Sequence, residues 1–364
     1  MSEDGGKRIR VLVVEDSPVS RDLIVYLLSQ DRRLEVVGTA ADGLEAIEQT
    51  RRLHPDVVTM DIHMPKMDGL EATRVIMETI PTPIVVVSST TQRYEVAATF
   101  RILEAGALAM VDKPSSLSGQ SAAKLLEIVR LMAEVKVVRR RPRVPAAVAA
   151  EPAAAVEGPT TSAVRVVAIG ASTGGPLVLG TILAGLPKDF PAPVLITQHI
   201  SPGFTEGFAQ WLGQSSGFPV KLATQGEPLS AGRAYVAPDG THLTVTVDGP
   251  AGCRAALNTE PPENGHRPSV SQLFRSVARG CGGDGVGVLL SGMGRDGAAE
   301  LKRMQEQGAL TIVQSPESSV VPGMPSAAIE LGAGSLVLPP ERIAAALTRA
   351  AAGTRTGPVG DESR

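Results

Sequence analysis

Five short runs rich in β-branched residues recur between residues 9 and 114, each followed by a stretch of helical periodicity. The runs are IRVLVVE, LEVVGTA, DVVTMDI, TPIVVVSS and ALAMVDKP, and the helical patterns lie at 18–30, 43–54, 69–79, 92–105 and 119–136. Strands alternating with amphipathic helices predict a parallel sheet with helices on both faces. The rhythm breaks at 137 and resumes at 164, with strands expected at 164–169, 193–198, 233–237, 286–291 and 309–313. Helices are expected after them at 176–185, 204–216, 269–280, 297–307 and 324–331. The segment 234–260 reads as more antiparallel, with AYVAPDG, HLTVTV and CRAALN in succession. The chain is therefore expected to hold two doubly wound α/β domains, the second mainly parallel with a β-hairpin region.

Between them, VVRRRPRVPAAVAAEPAAAVEGPTTSA is rich in Pro and Ala and has no period, which predicts a linker over 137–163. The domains then span 8–136 and 164–350, and the Gly- and Thr-rich end, 351–364, is expected to be a frayed tail. At 364 residues two domains are the ordinary expectation. A net charge of −3 gives no footprint for nucleic acid or an anionic membrane, and RRRPR at 139–143 reads as a solvated basic stretch. No apolar run is long enough to span a membrane, and MSEDGGKRIR has none of the layout of a secretory signal. Cys253 and Cys281 form no metal or redox motif and read as small buried residues. A cytoplasmic protein is expected, with no nucleic-acid partner and no membrane insertion.

Chemistry-bearing residues fall where the first domain's strands end: Glu15 and Asp16, Asp61, Ser88 and Lys113. In an open parallel sheet those ends share one edge, where ligands bind. Converging carboxylates need a hard cation, which Mg²⁺ supplies, and a lysine and a hydroxyl beside them suit a phosphoryl group. Single acids at strand ends can also be helix caps. The segments VLVVEDSPVSRDLI, DVVTMDIHMPKMDGLEA, VVVSS and AMVDKP resemble the receiver domain of two-component response regulators, a flavodoxin-like (βα)5 fold. The resemblance implies Asp61 as phospho-acceptor and Glu15 and Asp16 as Mg²⁺ carboxylates, with the backbone carbonyl of His63 a further ligand. Ser88 and Lys113 become the switch residues. Glu15 departs from the aspartate common there.

The second domain opens on VVAIGASTGGP. A Walker loop would need lysine where Pro176 stands, and the dinucleotide fingerprint would need glycine where Ser172 stands. Gly170, Ser172 and Gly174 instead match Gly-x-Ser-x-Gly on a strand-to-helix turn, which raises a nucleophile. Such a serine needs a base. Of His199, His242 and His266, His199 ends the strand PVLITQH and so shares the sheet edge with Ser172. Asp296, beyond the strand in VGVLLSGMGRDG, is the expected orienting carboxylate, with Asp239 next in line, and Met293 is the candidate oxyanion donor. Bland roles stay open for each: a core histidine for His199, a cap of helix 297–307 for Asp296.

The order Ser…His…Asp is not that of α/β-hydrolases. IGASTGGP, ITQHI, AYVAPDGTHL, HRPSVSQLF, LLSGMGRDGA and VVPGMPSAAIE resemble the catalytic domain of the bacterial chemotaxis protein-glutamate methylesterases. That resemblance implies a Ser172–His199–Asp296 triad assisted by Thr173 and Met293. It implies hydrolysis of glutamate methyl esters on chemoreceptor helices, deamidation of receptor glutamines, and a chemotaxis-type histidine kinase as phosphodonor. No cofactor is expected for the ester chemistry. Ser271 departs from a common aspartate, and Pro322 from a bulkier residue; both are expected to touch substrate preference rather than chemistry. A receiver fused to a hydrolase is expected to gate it. The alternatives are a non-catalytic phospho-switched binding module and, less compatible with the βα pattern, a DNA-binding output.

Overall fold

The computed structural model describes residues 7–88, 100–117, 119–137, 164–249 and 252–353. Residues 92–99 of the expected 92–105 helix, the linker from 138 to 163 and the tail beyond 353 lie outside them. The chain divides into two compact units, residues 1–149 and 150–364.

In the first unit the strands are β1 (Ile9–Val14), β2 (Leu34–Ala40), β3 (Val57–Met60), β4 (Ile84–Ser88) and β5 (Ala109–Asp112). They form one parallel sheet in the order β2-β1-β3-β4-β5. The helices are α1 (Pro18–Ser29), α2 (Gly43–Leu53), α3 (Gly69–Thr79), the helical residues 100–105 (α4) and α5 (Gln120–Ala133). Their starts are chemical: Ser17, Asp42 and Asp68 each accept the backbone N–H three residues on, satisfying a donor the helix cannot. β3 and β4 are buried along their whole length, as strands covered on both faces must be.

The second unit holds a seven-stranded parallel sheet in the order β14-β13-β12-β6-β7-β9-β8. Its central strands β6 (Val166–Ala171), β7 (Val194–Gln198), β12 (Gly285–Leu289) and β13 (Leu310–Gln314) are wholly buried. The outer strands are β8 (Val220–Leu222), β9 (Ala234–Val236) and β14 (Leu336–Leu338). The helices are α6 (Gly175–Ala184), α7 (Thr205–Ser216), α8 (Val270–Cys281), α9 (Ala298–Glu306), α10 (Gly323–Glu330) and α11 (Pro340–Ala351). Of the segment expected to be antiparallel, only β10 (His242–Asp248) and β11 (Gly252–Asn258) form a hairpin, while AYV joins the parallel sheet as β9. Leu243, Val245 and Ala255 of the hairpin share a core cluster with Leu273, Phe274 and Val277 of α8. That packing fixes where the N-terminus of α8 lies, on which the site below depends.

Candidate functional site

The first unit brings its strand-end acids together. Ligand oxygens of Glu15, Asp16 and Asp61 lie within 4.8 Å of one another. Lys113 Nζ reaches Glu15 Oε2 at 2.8 Å and Asp61 Oδ2 at 2.9 Å. Burial, aided by the Asp61 charge, pushes Glu15 up to about 7 despite its bonds to Lys113. Burial works against the charge on Lys113, but its two carboxylate partners outweigh it and hold its pKa above the ordinary lysine value. The three clustered carboxylates thus have one ammonium among them, paired with Glu15 and Asp61; a hard divalent cation fits both this deficit of positive charge and the all-oxygen donor set. Ser88 is buried at the end of β4, and its carbonyl accepts the Lys113 N–H at 2.8 Å, so the two expected switch residues are linked through the backbone. His63 is exposed in the loop after β3.

In the second unit Ser172 lies just past β6 and His199 just past β7. Register pairs Ala171 with Gln198, so the next step along both strands sets Ser172 beside His199. The turn continues by a Gly175 N–H to Ser172 carbonyl bond of 2.8 Å, and Gly174 takes φ +81°, where a side chain is strained. The left-handed residue is therefore Gly174, while Ser172 needs no unusual backbone. The loop after β12 closes on the serine: Ser172 N–H donates to the Ser291 carbonyl at 3.0 Å. Ser291 Oγ in turn reaches the Thr173 carbonyl at 2.8 Å. A Cβ on Gly292 would stand 2.6 Å from Ser172 Cβ and 2.3 Å from Met324 Sδ, so only glycine admits this approach. Among the described residues, the N–H groups of Thr173 and Met293, on the two chains meeting at Ser172, donate no hydrogen bond.

His199 Nε2 lies 2.9 Å from Asp296 Oδ2, and both side chains are buried, at 7% and 2% exposure. Asp296 does not cap α9, whose N-cap is Gly297. It is held at the start of α8, accepting Val270 N–H at 2.7 Å, Ser271 N–H at 3.1 Å and Ser269 Oγ–H at 3.0 Å. Asn264 Nδ2 adds a longer contact of 3.4 Å. Burial alone would raise the Asp296 pKa, but the bonds and charge from His199, with Ser271 and Val270, hold it well below the usual carboxylate range. An ionised Asp296 can only accept, so it is Nε2–H of His199 that donates to it, and Nδ1 is the ring nitrogen left out of that bond. That Nδ1 is buried with no hydrogen-bond partner. Gln198 ties the edge together, donating Nε2–H to the carbonyls of Ser172 (2.9 Å) and His199 (2.8 Å).

The other histidine and acid candidates have different employment. His242 is fully buried, with Nδ1 accepting from Ser269 N–H (3.1 Å) and Nε2 facing the Pro261 carbonyl (3.3 Å), so it braces the α8 start. His266 lies against His199 itself, the rings stacked at 3.7 Å and 6°. Asp239 holds Gly203 N–H and the Thr205 hydroxyl at the start of α7, so it is not the orienting acid. Ser271, expected to lie outside the triad, is one of the groups that hold Asp296, and its Oγ accepts Gly297 N–H at 3.0 Å. Sequence reasoning missed Ser269, Asn264 and Gln198, and gave Ser271 to substrate preference alone. The signal available was Ser-Val-Ser ahead of an amphipathic helix, a helix start whose free N–H groups suit an anion.

Residues 167–347 match the CheB methylesterase family, and residues 11–123 match the response regulator receiver domain family. The protein-glutamate methylesterase/protein-glutamine glutaminase 4 of Geobacter metallireducens is 54% identical over 346 residues, 93% of this chain and 98% of that protein. The protein-glutamate methylesterase/protein-glutamine glutaminase of Nitrosospira multiformis is 52% identical over 348 residues, 93% of this chain and 96% of that one. The crystal structure of the Thermotoga maritima CheB methylesterase catalytic domain is similar at 35% identity and TM-score 0.50, covering 52% of this chain and 100% of its own.

Proposed function

The chain belongs to the CheB methylesterase family, with a response regulator receiver domain ahead of the esterase domain, and from that premise we propose that it is a phosphorylation-activated serine hydrolase of bacterial chemotaxis. Its substrates are glutamate methyl esters on chemoreceptor helices, and it also deamidates receptor glutamines. The observation that carries this reading is the buried His199–Asp296 pair, at 2.9 Å, whose histidine follows β7 at the register position beside Ser172, one step beyond the Ala171–Gln198 pair.

Ser172 Oγ attacks the ester carbonyl while His199 takes its proton on Nδ1, the nitrogen that Asp296 leaves unprotonated. Apo hydrogen bonds of this kind commonly tighten only with substrate present. The N–H groups of Thr173 and Met293 donate to the oxyanion. His199 then gives its proton to the departing methoxide, so methanol leaves and a γ-glutamyl ester of Ser172 remains. Water, deprotonated by His199, hydrolyses that ester to glutamate and free serine. With a glutamine substrate the leaving group is ammonia. Asp296 stays ionised throughout and stabilises the imidazolium.

In the receiver, spanning 8–136 in this reading, Asp61 takes the phosphoryl group from a histidine kinase. Glu15, Asp16 and Asp61, with the carbonyl of His63, would hold Mg²⁺, whose charge offsets that of the transferring phosphoryl group. Phosphorylation adds charge at Asp61, to which Ser88 and Lys113 respond, and this relieves inhibition of the 164–350 domain. Among the described residues no helix is long and apolar enough to cross a membrane, and the proposed location is the cytoplasm. A fluorophosphonate probe tests the nucleophile: labelling at Ser172 that disappears in Ser172→Ala and His199→Ala supports the reading. An unlabelled wild type with intact fold would instead make this a binding module.

A further inference from the structure

We infer that His266 is a positioning residue for the proposed general base, and that the turn carrying it is built to hold both members of the His199–Asp296 pair. The inference rests on the triad reading and deepens it. The two imidazole rings lie face to face, with centroids 3.7 Å apart and planes within 6°. A ring so covered cannot rotate about its outer bonds without sliding off its neighbour. Orientation matters here because Asp296 fixes only one point of the ring, Nε2, and leaves a swivel about that bond. Flat contact on a face removes the swivel and fixes where Nδ1 is aimed.

The turn itself is tight. Glu263 and His266 exchange both backbone bonds, at 3.1 Å and 2.9 Å. Asn264 and Gly265 between them take φ +54° and +81°, the pairing that a two-residue Asn-Gly hairpin turn requires. It is anchored at its base: Arg275 of α8 bonds both carboxylate oxygens of Glu263 and, at 3.1 Å, Oε1 of Glu300 on α9. From this one turn Asn264 reaches Asp296 Oδ1 at 3.4 Å while His266 covers His199. α8 thus serves twice, its first turn seating Asp296 and its middle anchoring the turn that covers the base. The same turn meets the acid and the base of one pair, an arrangement that a loop merely closing over the surface would not need.

The test uses the full chain with methylated receptor membranes as substrate. His266→Ala is expected to lower kcat by about 10²-fold, the scale of an ångström-level misplacement of a reacting group, with KM changed by less than about threefold. His266→Phe, which keeps a flat ring and removes both nitrogens, is expected to recover most of the loss. A second readout is the Nε2–H proton resonance of His199, recorded in the full chain carrying Ser172→Ala. It should persist alone and with His266→Phe, and broaden away with His266→Ala. Should Ser172→Ala itself retain turnover, the triad reading fails, and this resonance still decides the positioning of His199. The inference is overturned if His266→Ala keeps kcat within about twofold of wild type, if His266→Phe is as impaired as His266→Ala, or if the resonance is indifferent to residue 266.

Discussion

Replacing Asp296 by asparagine removes a charge and one acceptor while conserving shape, and the seat of that carboxylate makes the outcome calculable. Oδ2 accepts from His199 Nε2 and Val270 N–H; Oδ1 accepts from Ser269 Oγ, Ser271 N–H and, more distantly, Asn264 Nδ2. The new amide NH₂ must occupy one of these positions. At the Oδ2 position it opposes Val270 N–H, and His199 adapts by accepting at Nε2, which moves its own proton to Nδ1 and abolishes the base. At the Oδ1 position it opposes Ser271 N–H and the Asn264 amide, so two donors lose their acceptor. The first orientation sacrifices fewer bonds, so the wrong tautomer of His199 is the expected one. Turnover should fall by about 10⁴-fold, as it does for the same change in a serine protease, equivalent to about 5 kcal/mol of transition-state stabilisation. At least one buried backbone N–H is left facing a donor, at a cost of about 1–3 kcal/mol, or about 2–4 °C in Tm per kcal/mol for a domain of this size. The stability loss should also depend on pH. The folded pKa of Asp296 lies below its unfolded value, so its contribution is complete above the ordinary carboxylate range, about 3.9, and fades as pH falls below it. Wild type and Asp296→Asn should therefore converge in stability in acid. Methanol release measured beside thermal denaturation checks both effects. Turnover within about tenfold of wild type at unchanged Tm would refute the account of the seat and of the tautomer together.

Gly292→Ala would drive a methyl to 2.6 Å from Ser172 Cβ and 2.3 Å from Met324 Sδ; a loss of about 1–3 kcal/mol on denaturant titration is expected, with turnover reduced as the serine turn shifts, and a neutral variant would contradict the close approach. Gln198→Leu keeps volume but leaves the carbonyls of Ser172 and His199 without their bonds of 2.9 Å and 2.8 Å; a destabilisation of about 1–3 kcal/mol and a fall in kcat exceeding any change in KM are expected. Asp61→Asn should abolish both ³²P incorporation from a phosphodonor and the rise in esterase rate that accompanies it, and a retained response would remove the receiver from the regulation. A chain starting near residue 160 should hydrolyse faster than the unphosphorylated whole protein; equal rates would make the receiver a docking module instead of a gate.

Strand-and-helix alternation was legible because β3, β4, β6, β7, β12 and β13 are covered on both faces and so read as unbroken apolar runs. The edge strands β8 and β14, three residues each and only partly buried, carry no such run and were not anticipated. Nor was α11, whose Ala-rich sequence PERIAAALTRAA leads directly into the unpatterned tail. Ser172, His199 and Asp296 could be found because each directly follows, or lies a few residues beyond, a buried parallel strand, and topology alone collects such positions at one edge. The seat of Asp296 was not found, because Ser-Val-Ser marks a helix start able to hold an anion but not which anion; Ser269, Val270 and Ser271 reach Asp296 only through the docking of α8 under the β10–β11 hairpin, a tertiary arrangement. The same docking brings the Ser271 N–H onto Asp296, a contact its position in sequence does not announce, while Asp239, second in line after Asp296, is taken up by the start of α7.

The central claim is that Ser172 attacks a glutamate methyl ester. Methanol release from methylated chemoreceptor membranes, compared between the full-length wild type and Ser172→Ala at equal concentration and with phosphodonor present, tests it most directly. The account predicts release by wild type and a loss approaching 10⁶-fold in the variant, the scale seen on removing a triad serine. Release by Ser172→Ala above about a tenth of the wild-type rate would contradict it.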